Sequence, residues 1–396
     1  VSARREVWIT GIGLISALGE GLEQHWDRLM AGGPPPYDDK TFAPYITFPL
    51  VPVNFDSQIP KKGDQRQMEP WQRIGVYAAG LALSSAGIAG KSEILDKTDM
   101  IVAAGGGERD VNVDSAILTD LRKAEKPGAF MNERLMSDLR PTLFLAQLPN
   151  LLAGNISIVH GVVGSSRTFM GEEASGVDAL RVAHARIAAG QSEITLTGGA
   201  YHGTRWDLVL LFRLGTSCLE GPFASVWDRG PKGGLTLASM GAFVVLESAD
   251  HARARGASPI ARLGGVLSSR NPRHPGEAEA SLRKEWQEMA PAVRKDCAVV
   301  ISGASGAEPA TSEENHVLAE IGLPVRATGT HIGHGMEAQF FANVALGCQA
   351  VRSGKLFPPA GSGDRGDTPS QGICQALVTS VGNWRGEGLA LVERID

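Results

Sequence analysis

The 396-residue chain is poor in cysteine: it has four, Cys218, Cys297, Cys348 and Cys374, and no two form a CxxC pair. That spacing speaks against a disulfide framework or a zinc site. The apolar runs around Cys297 and Cys374 suit small buried residues instead. Charge of one sign is also lacking. A net charge of −5 with mixed signs gives no footprint for a nucleic-acid partner. No stretch approaches 18 uninterrupted apolar residues, so no membrane span is expected. The opening Val-Ser-Ala-Arg-Arg-Glu-Val carries charge, but Gly11, Gly13 and Gly19 interrupt any apolar region after it. It reads as mature cytoplasmic protein. Common catalytic signatures are missing too: there is no GxSxG elbow and no HExxH. "AAGGGERD" (103–110) has neither GxGxxG spacing nor a Walker lysine. No cofactor and no metal are expected.

What the chain does have is glycine, 49 residues, and 43% apolar residues, a globular composition rich in tight turns and close backbone approaches. Strand-like apolar runs alternate with helical patterns, which argues for α/β layers. Strands are read at Val7–Ile12, Met100–Ala104, Glu193–Thr197, Phe243–Leu246, Ile260–Gly265 and Ala298–Ser302, with a closing pair at Gln375–Val381 and Leu389–Val392. Helices are read at Leu22–Met30, Arg73–Ile88, Ala174–Ala189 and Glu277–Met289. Another is read at Thr142–Leu152, kinked by Pro149, and a long one from Gln339 is closed by Gly354. Residues 33–70, rich in Pro and Asp, read as a surface excursion. "MIVAAGGG" and "VVISGASG" echo each other and hint at duplication, with a second half beginning near Gly241.

Two local patterns invite chemistry, and each has a plain alternative. Glu172 and Glu173 open a helix, where acids complement the dipole by about 0.3–1 kcal/mol; a functional role needs that helix start to be aimed into a cleft, a context local sequence does not supply. "THIGHG" holds His331 and His334 three apart. No third metal ligand is near, and His334, between two glycines, could approach a substrate closely.

Several stretches together resemble the β-ketoacyl-acyl carrier protein synthase family, of the thiolase fold. They are "VWITGIGLISALGEGLEQHWDRLMAG", "LPNLLAGNISIVHGVVGSSRTFMGEEASGVDALRVAHARIAAGQSEITLTGGA", "WDRGPKGGLTLASMGAFVVLESADHARARGA", "THIGHGMEAQFFANV" and "GNWRGEGLALVERI". The resemblance runs through nearly the whole chain in order. It implies an α/β fold of duplicated βαβαβαββ halves stacked as five α-β-α-β-α layers, the N-terminal half spanning 1–250 and the C-terminal half 251–396.

The departures from that family matter more. Its nucleophilic cysteine falls on Glu173, where a helix dipole would otherwise favour thiolate; a carboxylate cannot carry an acyl thioester. Cys218 is too far out of register to replace it. The first catalytic histidine falls on Ala304 and the family's lysine on Gly329, while the second histidine is kept as His334. Asn383 stands for the gating phenylalanine. The resemblance is closest to chain-length factors, silent subunits that pair with an active ketosynthase as a heterodimer and shape its acyl tunnel. This implies an active ketosynthase and a carrier-protein-bound acyl chain as partners. It also implies a tunnel-facing role for Asp110, Val111, Leu118 and Leu121 in the segment after Gly107, and for Asn383. Polyketide or polyene synthesis and long-chain fatty acid elongation both fit. The alternative is a malonyl-carrier-protein decarboxylase using Glu173 and His334, against which Ala304 and the negative charge of Glu173 argue, or a scaffold.

Overall fold

A computed structural model describes residues 5–105, 107–108, 110–139, 147–215 and 217–395. Ten strands form its frame: β1 (Val7–Ser16), β2 (Asp99–Ala104), β3 (Ser166–Phe169), β4 (Ile194–His202), β5 (Leu237–Ser248), β6 (Ala261–Ser269), β7 (Ala298–Ser302), β8 (Val325–Ala327), β9 (Gln375–Val381) and β10 (Glu387–Glu393). Their spatial order is β8-β7-β9-β10-β6-β1-β5-β4-β2-β3, with the two-residue strands Gly19–Glu20 and Thr47–Phe48 pairing β1 and β5 off this path.

The order falls into two equal sets. β3-β2-β4-β5-β1 and β8-β7-β9-β10-β6 are the same 3-2-4-5-1 sequence of strands, each with parallel pairs on one side and antiparallel pairs on the other. The repeat hinted at by the two glycine-rich echoes is therefore a repeat of topology, which side-chain identity need not preserve. The two sets meet at a narrow seam, where β1 pairs β6 through Trp8–Arg262 and Ile9–Ala261.

Helices fill the same slots in each set. The first has α2 (Pro70–Ser85), α5 (Leu151–His160) and α6 (Glu172–Ala188); the second has α8 (Glu277–Met289), α9 (Ala310–Ile321) and α10 (Gln339–Ser353). α1 (Leu22–Ala31), α3 (Val111–Leu121), α4 (Pro127–Ser137) and α7 (Trp206–Leu214) lie in the connections. α6 and α10 touch strands of both sheets, whereas α2 and α5 pack on the first sheet and α8 on the second. Two sheets thus enclose a central helical layer and are covered outside, giving the five layers expected. Sequence explains the placing of α10: every residue from Gln339 to Val351 is buried, and a helix enclosed all round needs partners on every side. On the outer side, α2 lies so close to β1 that a methyl group on Gly13 would come within 2.0 Å of the Ala78 carbonyl oxygen.

Three expectations are corrected. Residues 33–70 are not merely a surface excursion, because Phe48 and Ile59 are completely buried and Thr47–Phe48 pairs β5. The helix read over Thr142–Leu152 lies partly outside the described residues, at 142–146. Within its described part, residues 147–150 are turn or irregular and the helix starts only at Leu151. Cys297 and Cys374 form a disulfide, with Cα atoms 5.3 Å apart. Sequence spacing concealed it, since 77 residues separate the two. Both immediately precede neighbouring parallel strands, and the Gln375–Ala298 register sets them side by side.

Candidate functional site

The N-terminus of α6 points its first turn at loops from the second half. Glu173 is the second residue of that helix and is buried, and Glu172 before it has φ 49°. Met336, just beyond His334, has φ 41°. A left-handed conformation costs a non-glycine residue about 1–2 kcal/mol, and both instances flank the same spot.

His334 Nε2 lies 2.8 Å from Glu173 Oε1, and the backbone N–H of Asn383 donates to the same oxygen at 3.1 Å. An ionised carboxylate only accepts, so Nε2 is the protonated ring nitrogen. Burial pushes the Glu173 carboxyl up, but the His334 hydrogen bond and charge, with backbone donors at the helix start and Asn383, outweigh it and hold the group below its ordinary range. Glu173 Oε2 and His334 Nδ1 are buried and have no hydrogen-bond partner among the described residues. The pair can hold or pass a proton, and it offers no thiolate.

The loop 382–386 closes over Glu173. Asn383 Nδ2 donates to Ser217 Oγ at 3.2 Å, Trp384 stacks on Phe212 with ring centres 5.0 Å apart, and Arg385 reaches Glu172 at 3.4 Å. From the other side Arg273 donates to the Gly382 and Gly386 carbonyls at 2.8 and 3.0 Å and pairs with the fully buried Glu387.

Of the other positions singled out in the sequence, Ala304 sits in a small apolar cluster with Val226 and Ala327. Gly329 is sealed against it: a methyl group there would come within 2.5 Å of the Ala304 carbonyl oxygen and 3.1 Å of Val226 Cγ1. A lysine side chain therefore has no room at 329. His331 turns away from His334 and packs edge-on against Phe357, 5.6 Å between ring centres. Cys218 is one residue from the Ser217 that touches Asn383, nearer the site than its sequence position suggests. Burial pushes its thiol up to about 11, which leaves it no thiolate character.

Asp110, Val111, Leu118 and Leu121 are not brought to Glu173. Asp110 caps α3, accepting from the Val113 N–H at 3.2 Å. Only Ile117 of α3 is buried, while Val111 and Leu118 are exposed. Asn383, by contrast, stands in the site itself.

Two residues of the site were missed by sequence reasoning. Glu337 is buried, its Oε2 has no hydrogen-bond partner among the described residues, and burial, reinforced by the charges of Glu173 and Glu172, pushes its carboxyl up to about 8. The signal available was an acid inside the apolar run "GMEAQFFANVAL", since lone acids are seldom fully buried. Arg273 gave no signal, because its partners come together only in the fold.

Comparisons with known proteins agree with the fold. The family model described as beta-ketoacyl synthase, N-terminal domain, matches residues 4–252. The chain is 26% identical to the tetracenomycin polyketide synthase ketoacyl synthase beta subunit of Streptomyces glaucescens, covering 96% of this chain and 92% of that one. It is also 26% identical to 3-oxoacyl-[acyl-carrier-protein] synthase 2 of Vibrio harveyi, over 69% of this chain and 65% of that synthase, a little under two thirds of its length. Among solved structures, the ishigamide ketosynthase/chain length factor superposes with a TM-score of 0.81 at 18% identity, with both chains covered completely.

Proposed function

The chain belongs to the beta-ketoacyl synthase family, and from that premise we propose that it is a non-condensing, chain-length-factor-like subunit. In this reading it pairs in the cytoplasm with an active ketosynthase and shapes the tunnel for an acyl chain delivered on a carrier protein. The observation that carries the reading is the occupant of the α6 N-terminus. There a buried carboxylate, Glu173, is held by His334 and Asn383 where a condensing enzyme needs a thiolate. Ala304 and the sealed Gly329 remove the groups that would stabilise an enolate or oxyanion.

Features outside the site support a partner. Among the described residues β3 pairs on one side only, and Ile158, Val163 and Met170 around it are exposed. An open strand edge beside apolar side chains is a template for another chain. α3 likewise leaves Val111 and Leu118 uncovered, which suits a tunnel wall completed by the other subunit.

The test is co-expression with candidate ketosynthases of the same source, followed by elongation assays on the co-purified pair. Elongation that survives Glu173→Ala and disappears when the partner's cysteine is replaced supports the reading. Carbon dioxide release from malonyl-carrier protein by the isolated chain, abolished by Glu173→Ala, would overturn it in favour of a decarboxylase.

A further inference from the structure

β9 begins at Gln375 and runs seven residues, about 20 Å, before the 382–386 loop reaches Glu173. Where it begins, at the end of the sheet away from Glu173, is a cavity of about 520 Å³. Four guanidinium groups line it, Arg253, Arg262, Arg294 and Arg394, against two carboxylates, Glu6 and Glu393. Arg262 engages both carboxylates, Glu393 at 2.7 Å and Glu6 at 3.3 Å. Arg253 lies 3.6 Å from Glu6, reaches the exposed Asp250 at 3.2 Å, and stacks over the Trp8 ring at 4.5 Å. The lining therefore keeps an excess of two positive charges.

Buried polar groups fix the cations in place. Gln375 is 1% exposed and joins three segments. Its Oε1 accepts from the Arg294 N–H at 2.6 Å, and its Nε2 donates to the Ala292 carbonyl at 3.0 Å and to Glu393 at 2.8 Å. The Arg394 N–H donates to the Cys374 carbonyl at 2.9 Å, and the Cys297 N–H donates to the Arg294 carbonyl at 3.1 Å. The Cys297–Cys374 disulfide thus ties together the two segments that carry Arg294 and Arg394. Trp8, also in the lining, is buried, and its indole N–H has no hydrogen-bond partner among the described residues. That group only donates, so it calls for an acceptor.

We propose that this cavity is a binding site for a small phosphate monoester, its phosphoryl group held by Arg294 and Arg394 with Arg253 and the Trp8 N–H beside them. A phosphate monoester carries close to two negative charges at neutral pH, which matches the excess in the lining. Guanidinium forks take phosphoryl oxygens in pairs. The volume is that of a small-molecule site and leaves room for the organic part of an ester. The length of β9 separates this ligand from Glu173, so it takes no part in chemistry there, and the site does not depend on the proposed function.

The experiment titrates the full chain by calorimetry with glycerol 3-phosphate, inorganic phosphate, sulfate and glycerol at constant ionic strength. Glycerol 3-phosphate should bind at one site per chain, more tightly than either inorganic anion, and glycerol should not bind. Arg294→Ala and Arg394→Ala change exposed side chains. Each should keep the melting temperature of the parent and weaken ester binding by at least about fivefold. Trp8→Phe keeps an aromatic ring under Arg253, removes the N–H, and should weaken binding by about threefold. Absence of ester binding at about 10 mM overturns the site. Binding that both arginine variants leave unchanged puts the anion elsewhere and overturns it too. Sulfate bound as tightly as the ester would reduce the cavity to general anion attraction, and tighter binding of inorganic phosphate would overturn the ester as its ligand. None of these readouts involves acyl transfer, so the site and the subunit's pairing role fail separately.

Discussion

His334 Nε2 and Glu173 Oε1 face each other at 2.8 Å with both side chains almost wholly withdrawn from water. The pair is fixed from two directions, by the α6 terminus and by the 382–386 loop. Glu173→Ala leaves the imidazole N–H and the Asn383 N–H without an acceptor. Loss of that acceptor should cost about 2–4 kcal/mol, read as a lower midpoint in denaturant unfolding. Glu173→Gln keeps one acceptor oxygen and should cost less than half as much.

Restoring the nucleophile alone should not restore condensation. Glu173→Cys supplies a thiol, but Ala304 has no imidazole and position 329 has no room for a lysine. The expected result is a chain that a small alkylating agent labels and that forms no β-ketoacyl product in a single-turnover assay. Product formation by this variant, with no partner present, would mean that a thiol beside His334 suffices for condensation and that Ala304 and Gly329 do not silence the site.

Glu337 should contribute a stability that falls as pH rises above about 4.5. Its carboxyl is shifted from the ordinary 4.5 to about 8, chiefly by burial. Below pH 4.5 folded and unfolded chains are both protonated there. Between 4.5 and about 8 the unfolded chain has released a proton that the folded chain retains, so stability declines across that window and levels off above it. Glu285, raised to about 7 chiefly by burial, adds a decline of the same sign. Glu337→Gln removes one contribution. Its melting temperature should gain on that of the parent between about pH 5 and pH 8, by an amount corresponding to about 2–4 kcal/mol.

Arg273→Ala should release the loop over the site. The change removes donors to the Gly382 and Gly386 carbonyls and leaves Glu387 buried without its cation. Unpairing such a group should cost about 3–5 kcal/mol. Hydrogen exchange at Asn383, whose N–H is donated to Glu173, should accelerate more than exchange in β9 and β10. A uniform acceleration would mean that Arg273 supports the whole second half rather than the loop.

Sequence made the frame legible where burial repeats along the chain. The fully enclosed run from Gln339 to Val351 reads as an all-round apolar helix, and the α/β alternation supplies the layers. Position 173 and His334 could be named because the stretches around them resemble the family's nucleophile helix and histidine segment. What sequence could not supply was contact across long separations. Glu173 and Asn383 are 210 residues apart, and only the register of the strands unites them. Cys297 and Cys374 were hidden for the same reason. Glu337 was hidden differently, because an acid inside an apolar run names no neighbours until the fold buries it beside Glu173.

The seam between β1 and β6 gives the molecule a line of division. Two residue pairs join the sheets there, and the chain crosses between the halves through a turn at Arg255–Gly256 after a short helix. The cohesion of the halves comes mainly from α6 and α10, each lying on strands of both sheets. A chain cut at that crossover would give two fragments, each with a complete set of strands and one wall of the interior for the other. The architecture is thus that of a clasp, in which the helical layer that carries Glu173 is also the surface by which the two pieces would find each other.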